Sequence, residues 1–194
     1  ARRQFVSDAS HELKTPLGVI RNFAENLLEH NMEEKRDYYL EQIVGQTEEM
    51  DRLAGEMILI SRMDSEKLVL QREHISLSVL IEEQLTRLKP LTEEKQIRVE
   101  VHDEQDFQVE GDPSYLSKAM WNLLVNAIDY NVPEGKIRIT LREKACTIEN
   151  TGSPLSEEQL KYGFDLFYSQ NKSRSSQEEK HMGLGLYLAK KILD

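Results

Sequence analysis

Cys146 is the only cysteine in the chain, which excludes an intrachain disulfide and argues against a cysteine-based metal centre. Runs of about 18 or more apolar residues are missing, as is a signal peptide, so the segment is expected to be soluble as it stands. An excess of positive charge is missing too. The 25 Lys and Arg against 35 Asp and Glu leave a formal net charge of -10, and without a basic surface to collect phosphates the chain does not read as a general nucleic-acid binder. The 194 residues and 22.6 kDa leave room for one sizeable domain, or for a helical module followed by a compact α/β domain.

What is present begins with an apolar stripe. Phe5, Ala9, Leu13, Ile20, Phe23 and Leu27 recur near the helical period and predict a helix from about Phe5 to Leu28. His11 lies beside that stripe. Glu12 and Thr15 follow it at one and four positions, and a residue four further on lies one turn away on roughly the same face. A carboxylate that accepts the proton of one ring nitrogen fixes the neutral tautomer and leaves the other nitrogen able to attack, while a hydroxyl one turn along can hold a water near the ring. Pro16 removes a backbone donor and is expected to bend the helix just past this point. Alone, the pair fits equally an ordinary surface histidine beside an ordinary charge. Residues 30–34 read as a polar turn, and Tyr39, Ile43, Met50, Leu53, Met57 and Ile60 predict a second helix from about Lys35 to Met63. Two helices bury little alone, so the hairpin is expected to pair with a copy of itself as a dimeric four-helix bundle, docking on the rest of the chain being the alternative.

Beyond Asp64 the period changes. Leu68-Val69-Leu70 and Ile75 to Leu77 suggest a short edge strand and its exit, Val79 to Lys89 a helix, Gln96 to Val101 a half-buried strand and Phe107 to Glu110 another. Asp112 followed by Pro113 opens a helix that packs through Leu116, Met120, Leu123, Leu124, Ala127 and Ile128. Ile137 to Leu141 and Cys146 to Glu149 read as a hairpin ending at Asn150-Thr151-Gly152. The region is expected to be an α+β layer sandwich, a mixed sheet covered by helices.

Its polar features suit phosphate. Asn122 and Asn126, four apart on an otherwise apolar helix face, can bind oxygen ligands or a hydrated magnesium without adding charge. Asn150 and Gly152 follow a strand, where an acceptor can meet a base edge. Gly183-Leu184-Gly185-Leu186 enters a helix, and glycines there let the backbone approach phosphate oxygens. Residues 169–180 are polar and aperiodic, a loop in which Lys172 and Arg174 are placed to reach phosphates. Each feature alone is weak: solvated amides, a plain turn or a surface insertion would read the same way.

Their order resembles the catalytic core of a two-component sensor histidine kinase. His11-Glu12-Leu13-Lys14-Thr15-Pro16 is similar to the core of the family's phosphoacceptor box, Trp121 to Ala127 to its asparagine box, Phe164 to Tyr168 with Lys172-Ser173-Arg174 to its phenylalanine box, and Gly183 to Leu186 to its second glycine box. The texture around the boxes resembles, within the family, the sensors of vancomycin-resistance systems. The resemblance implies a dimerisation and phosphotransfer domain over residues 1–66 and an ATP-binding domain of the histidine-kinase-type ATPase class over residues 67–194. That domain is expected to be truncated, because the family's usually runs two strands further. The first alanine and two arginines, so close to the phosphoacceptor box, read as a cut through a longer parent.

As implied roles, His11 accepts the phosphoryl group of ATP, Glu12 keeps the attacking nitrogen deprotonated, and Thr15 orients water to hydrolyse a phosphorylated partner. Asn126 holds Mg2+, and Asn122, Asn150, Gly152, Lys172, Arg174, Gly183, Leu184 and Gly185 contact the nucleotide. The implied partners are a second copy and the receiver domain of a response regulator. The parent is expected at the cell membrane, attached through upstream segments, with this segment cytoplasmic. Four departures stand out: Asn150 replaces the usual aspartate and Pro154 the second glycine of the first glycine box, His181 stands where a glycine is common, and Asp129 replaces a basic residue. Asn150 and Pro154 alter the nucleotide pocket and make a nucleotide-binding pseudokinase or a phosphatase-only module the runner-up.

Overall fold

The computed structural model describes residues 2–29, 35–65, 68–103, 107–142, 144–168 and 183–194, with backbone only for residues 2–4 and 6. It divides into two compact units, Ala1–Leu68 and Val69–Asp194.

The first unit is a helical hairpin. Helix α1 (Arg2–Leu28) and helix α2 (Arg36–Met63) meet along the predicted stripes, with Phe23 against Tyr38 and Tyr39 at ring-centroid distances of 6.3 and 5.2 Å. The α1 helix runs on through Pro16, which takes away the N–H that the Glu12 carbonyl would otherwise accept. Burial is one-sided and thin. The apolar stripe of α1 is only half-buried, and on α2 Tyr39, Leu53 and Ile60 are buried. Glu56 is also buried, held by Arg52 at 2.8 Å, and Arg52 donates twice to Glu49 at 2.6 and 2.8 Å. Burial alone would weaken the hold of Arg52 on its proton, but the two carboxylates outweigh it and keep the guanidinium above its ordinary pKa.

The second unit is an α+β layer structure. Strand β1 (Glu73–Ser76) pairs antiparallel with β3 (Gln108–Gly111), while β2 (Arg98–Asp103), β4 (Lys136–Arg142) and β5 (Ala145–Asn150) form a mixed sheet in the order β2-β4-β5. The β2–β4 pair is parallel, with Arg98 opposite Lys136, and the β4–β5 pair antiparallel, with Ile137 opposite Asn150. Strand alternation turns Ile137, Ile139 and Leu141 inward. Against them pack helix α3 (Leu77–Glu94) through Leu80, Ile81 and Leu88, and helix α4 (Pro113–Asp129) through Met120, Leu124, Ala127 and Ile128. Short helix α5 (Glu157–Tyr162) and helix α6 (Gly185–Leu193) complete the unit. No helix among the described residues is long and apolar enough to cross a membrane.

Three local expectations shift. Leu68-Val69-Leu70 is not a strand; the strand lies at Glu73–Ser76, where a ladder partner exists in β3. Leu77 starts α3 instead of ending a strand, because the Ser76 hydroxyl accepts the Val79 N–H and caps the helix. Helix α5 adds to the expected elements, and Ser156 and Gln159 form the capping box that opens it.

Asp112 caps α4 as its neighbours suggest. Its Oδ1 accepts from Ser114 N and Tyr115 N at 3.0 and 3.4 Å, and its Oδ2 accepts from Gln71 N at 3.0 Å, fastening the segment before β1. Asp112→Ala is expected to cost the second unit about 1 to 2 kcal/mol, measured as a lower urea midpoint, with Asp112→Asn losing less. Identical midpoints for the alanine variant and the parent would show that the cap contributes nothing.

Candidate functional site

On the hairpin, His11 and Thr15 are exposed and Glu12 is half-buried, so the imidazole is open to an incoming group. The three residues share consecutive turns of one unbroken helix.

In the second unit the site grows out of α4. Asn122 faces inward and is 8% exposed, and its Nδ2 has no hydrogen-bond partner among the described residues. A buried amide donor left unpaired costs free energy unless a ligand takes it. Opposite it lies the start of α6: a Cβ added at Gly185 would sit 3.7 Å from Asn122 Cγ. Among the described residues no side chain caps α6, and its first turn holds no acid, so its leading N–H groups and the positive end of its dipole suit an anion. Gly183 has φ +66, and a Cβ there would run into the main chain of Tyr168, so glycine is required on both counts. Leu184 between them is buried and anchors the turn.

One turn further along α4, Asn126 is half-buried, its carbonyl accepting from Tyr130 N at 3.1 Å. Asn150 Nδ2 donates to Tyr130 O at 3.4 Å and to Thr151 O at 3.0 Å, which leaves Oδ1 as the acceptor the side chain can offer. A Cβ on Gly152 would come within 2.6 Å of Tyr130 O, so this strand exit closes on α4 only with glycine. The structure thus brings Asn122, Asn126, Asn150, Gly152 and the Gly183–Gly185 turn together along about 12 Å of helix axis. Asp129 is paired with Lys95, whose Nζ lies 3.3 Å from Oδ1 and also donates to Ile128 O at 3.1 Å, so its charge is balanced locally.

Lys172, Arg174 and His181 lie outside the described residues. Among the described ones, no group of three or more His, Cys, Asp or Glu gathers to hold a metal. Asn131 and Thr151, to which the sequence assigns no site role, join the exits of α4 and β5 through their side chains at 2.6 Å; a short polar residue after a helix or strand reads as ordinary turn chemistry.

Comparison with known proteins accounts for both units. Residues 1–66 match the His Kinase A (phospho-acceptor) domain, and residues 111–194 the histidine kinase-, DNA gyrase B- and HSP90-like ATPase. The chain is 32% identical over 196 residues to the sensor protein DltS of Streptococcus agalactiae, covering 99% of this chain and 48% of that protein. It is 30% identical over 197 residues to the heme sensor protein HssS of Staphylococcus aureus, covering 100% of this chain and 42% of that protein. The chain thus spans under half the length of these relatives. Among solved structures, the histidine kinase ThkA in complex with the response regulator protein TrrA is similar with a TM-score of 0.69 and 26% identity, over 86% of this chain and 50% of that one. The histidine kinase AdeS of Acinetobacter baumannii shares the fold, with a TM-score of 0.72 at 18% identity over 94% and 85% of the two chains. With a phosphoacceptor hairpin and an ATPase domain in this order on one chain, the protein belongs to the sensor histidine kinases and carries their catalytic core.

Proposed function

We propose that this chain phosphorylates itself on His11 at the expense of ATP, and that the phosphoryl group then passes to an aspartate in the receiver domain of a response regulator. The observation that carries the reading is the Nδ2 of buried Asn122, unpartnered among the described residues, beside the start of α6, which none of their side chains caps: a pairing of donors suited to phosphate oxygens. Asn150 Oδ1 is an acceptor for the amino group of adenine, with Gly152 allowing the close approach. Asn126 holds Mg2+ through its amide oxygen; magnesium keeps most of its waters and needs few protein ligands. Lys172 and Arg174 are assigned to the phosphates by sequence position. Bound Mg-ATP supplies the γ-phosphoryl group and the charge neutralisation.

On α1, Glu12 accepts the proton of one imidazole nitrogen while the other attacks the γ-phosphorus, and the bond to the bridging oxygen breaks with ADP leaving. Protein catalysis of such a transfer is chiefly positioning and electrostatics. Thr15 orients water for the reverse function, hydrolysis of the phosphorylated regulator. The hairpin is assigned to a homodimer, because Leu17, Val44 and Ile58 are each 54% exposed and three buried apolar residues on α2 make a thin core. A parent at the cell membrane, with this segment on the cytoplasmic side, follows from the family. The narrower likeness to vancomycin-resistance sensors rests on sequence texture alone. The second reading, a nucleotide-binding pseudokinase or a phosphatase-only module, is favoured by Asn150 in place of an acid.

Incubation with γ-labelled ATP and Mg2+ decides between them: acid-labile, base-stable label is expected on the parent chain and none on His11→Gln, which should still bind nucleotide. Label that survives in His11→Gln would move the acceptor elsewhere.

Asn122→Leu is expected to raise the unfolding temperature without nucleotide, because a buried unpaired donor costs roughly 1 to 3 kcal/mol, and to abolish the further rise that Mg-ATP gives. A variant that keeps the full ligand-induced rise would remove Asn122 from the site.

Glu12→Gln should slow labelling of His11 by roughly 10²-fold or more, since an amide is a poor acceptor for the ring proton. Thr15→Ala should leave labelling nearly intact and slow dephosphorylation of the regulator. The opposite partition between the two assays would reverse the roles.

A further inference from the structure

Between the exits of α4 and β5 lies a hydrogen-bond network to which the proposed chemistry assigns no part. Thr151 Oγ1 donates to Asn131 Oδ1 at 2.6 Å and accepts from Lys136 N at 2.8 Å. Asn131 Oδ1 also accepts from Val132 N at 3.0 Å, and its Nδ2 donates to Lys136 O at 3.2 Å. Thr151 N donates to that same carbonyl at 2.9 Å, adding one rung beyond the β4–β5 ladder. Both side chains are therefore engaged through donor and acceptor alike, the Thr151 hydroxyl having the Lys136 carbonyl at 3.4 Å as a longer second acceptor, and the Asn131 amide orientation is fixed. Gly135 lies beneath them, buried, where a Cβ would come within 2.5 Å of Thr151 Oγ1 and would also run into Asn131 Oδ1.

The network surrounds the base acceptor. Thr151 sits between Asn150 and Gly152, and Asn131 follows Tyr130, whose carbonyl meets both. The shorter of the two bonds that orient the Asn150 amide, 3.0 Å, goes to the carbonyl of Thr151 itself, whereas the bond to Tyr130 O is 3.4 Å. Asn150 is exposed and receives little support from packing. Its Oδ1 therefore stays where a base can use it only if the Thr151 peptide is held, and the Thr151–Asn131 pair is what holds it. The same pair fixes this strand exit to the end of α4, where Asn126 lies.

We propose that Asn131 and Thr151 are positioning residues for base recognition: without touching nucleotide, they set the Asn150 amide relative to the amide of Asn126. The proposal rests on the reading of Asn150 as the acceptor for the adenine amino group. Its test is the affinity of the chain for Mg-ATP against Mg-inosine triphosphate, which has a carbonyl where adenine has the amino group. The parent should prefer ATP. Thr151→Val, nearly the same shape without the hydroxyl, should narrow that preference by roughly 3- to 10-fold through weaker ATP binding, with inosine triphosphate held within about 2-fold. Thr151→Ser should keep the parent's preference, and Asn131→Ala, which removes the partner from the other side, should narrow it as Thr151→Val does. A Thr151→Val protein that discriminates like the parent would overturn the proposal, as would an equal loss for both nucleotides, which marks a purely structural role. A parent chain that binds ATP and does not discriminate would instead overturn the reading of Asn150, and one that binds neither nucleotide would overturn the ATP site itself.

Discussion

Helix α4 must satisfy two environments at once, and most of the second unit follows from that constraint. One side carries Met120, Leu124, Ala127 and Ile128 into the apolar core over β4. Asn122 and Asn126 sit in the same turns, too close to the core for free solvation. Their amides are affordable because they are neutral and because α6 begins with glycines instead of bulky side chains beside Asn122. A charged pair at those positions would have carried a far larger desolvation cost. The core therefore fixes the rotation of α4 about its axis, and that rotation aims the amides. Any repacking that turned the helix by one residue, about 100°, would bury different groups and disperse the site.

Much of this was legible in the sequence because the informative residues act locally. Pro113 after Asp112 announces a helix start through one side chain and two adjacent N–H groups. The alternation of Ile137, Ile139 and Leu141 announces a strand with one buried face. The pair Asn122 and Asn126 announces a shared helix face by spacing alone. What was not legible depends on partners far along the chain. Whether Leu68-Val69-Leu70 or Glu73–Ser76 forms the edge strand is decided by where β3 offers a ladder, and both segments have adequate strand character. The role of Gly135 is decided by Asn131 and Thr151 closing over it, and one of those lies beyond a whole hairpin in sequence.

The two units differ in how far each can be understood alone. The second has a core drawn from α3, α4 and the mixed sheet, closed by α6. The hairpin has one dominant contact line, and the largest investment on α2 outside the apolar residues is ionic: Arg52 spanning Glu49 and Glu56. Both pairs lie within α2, so they brace that helix and neutralise buried Glu56 without joining it to α1, and partly buried ion pairs roughly offset their own desolvation. A hairpin held along one contact line leaves apolar side chains such as Leu17, Val44 and Ile58 exposed, which suits an element completed by a second copy.

Charge sets the last condition. A chain of net charge -10 that is to hold a polyanion works against its own field, and local cations at the described part of the site are scarce. Lys95, at the end of α4, is occupied with Asp129 and the Ile128 carbonyl, and Lys136 with Glu100. The described site is instead made of neutral dipoles: the amides of Asn122, Asn126 and Asn150 and the leading N–H groups of α6. Such groups repel no anion and need not shed a counter-charge. They act only when held in fixed directions, because a dipole that turns away loses most of its attraction. Asparagine at position 150 fits that scheme: unlike an aspartate it adds no negative charge to a chain that already carries an excess. Its cost is that an amide, with two different ends, has to be oriented by the carbonyls around it, a demand that a symmetrical carboxylate does not make.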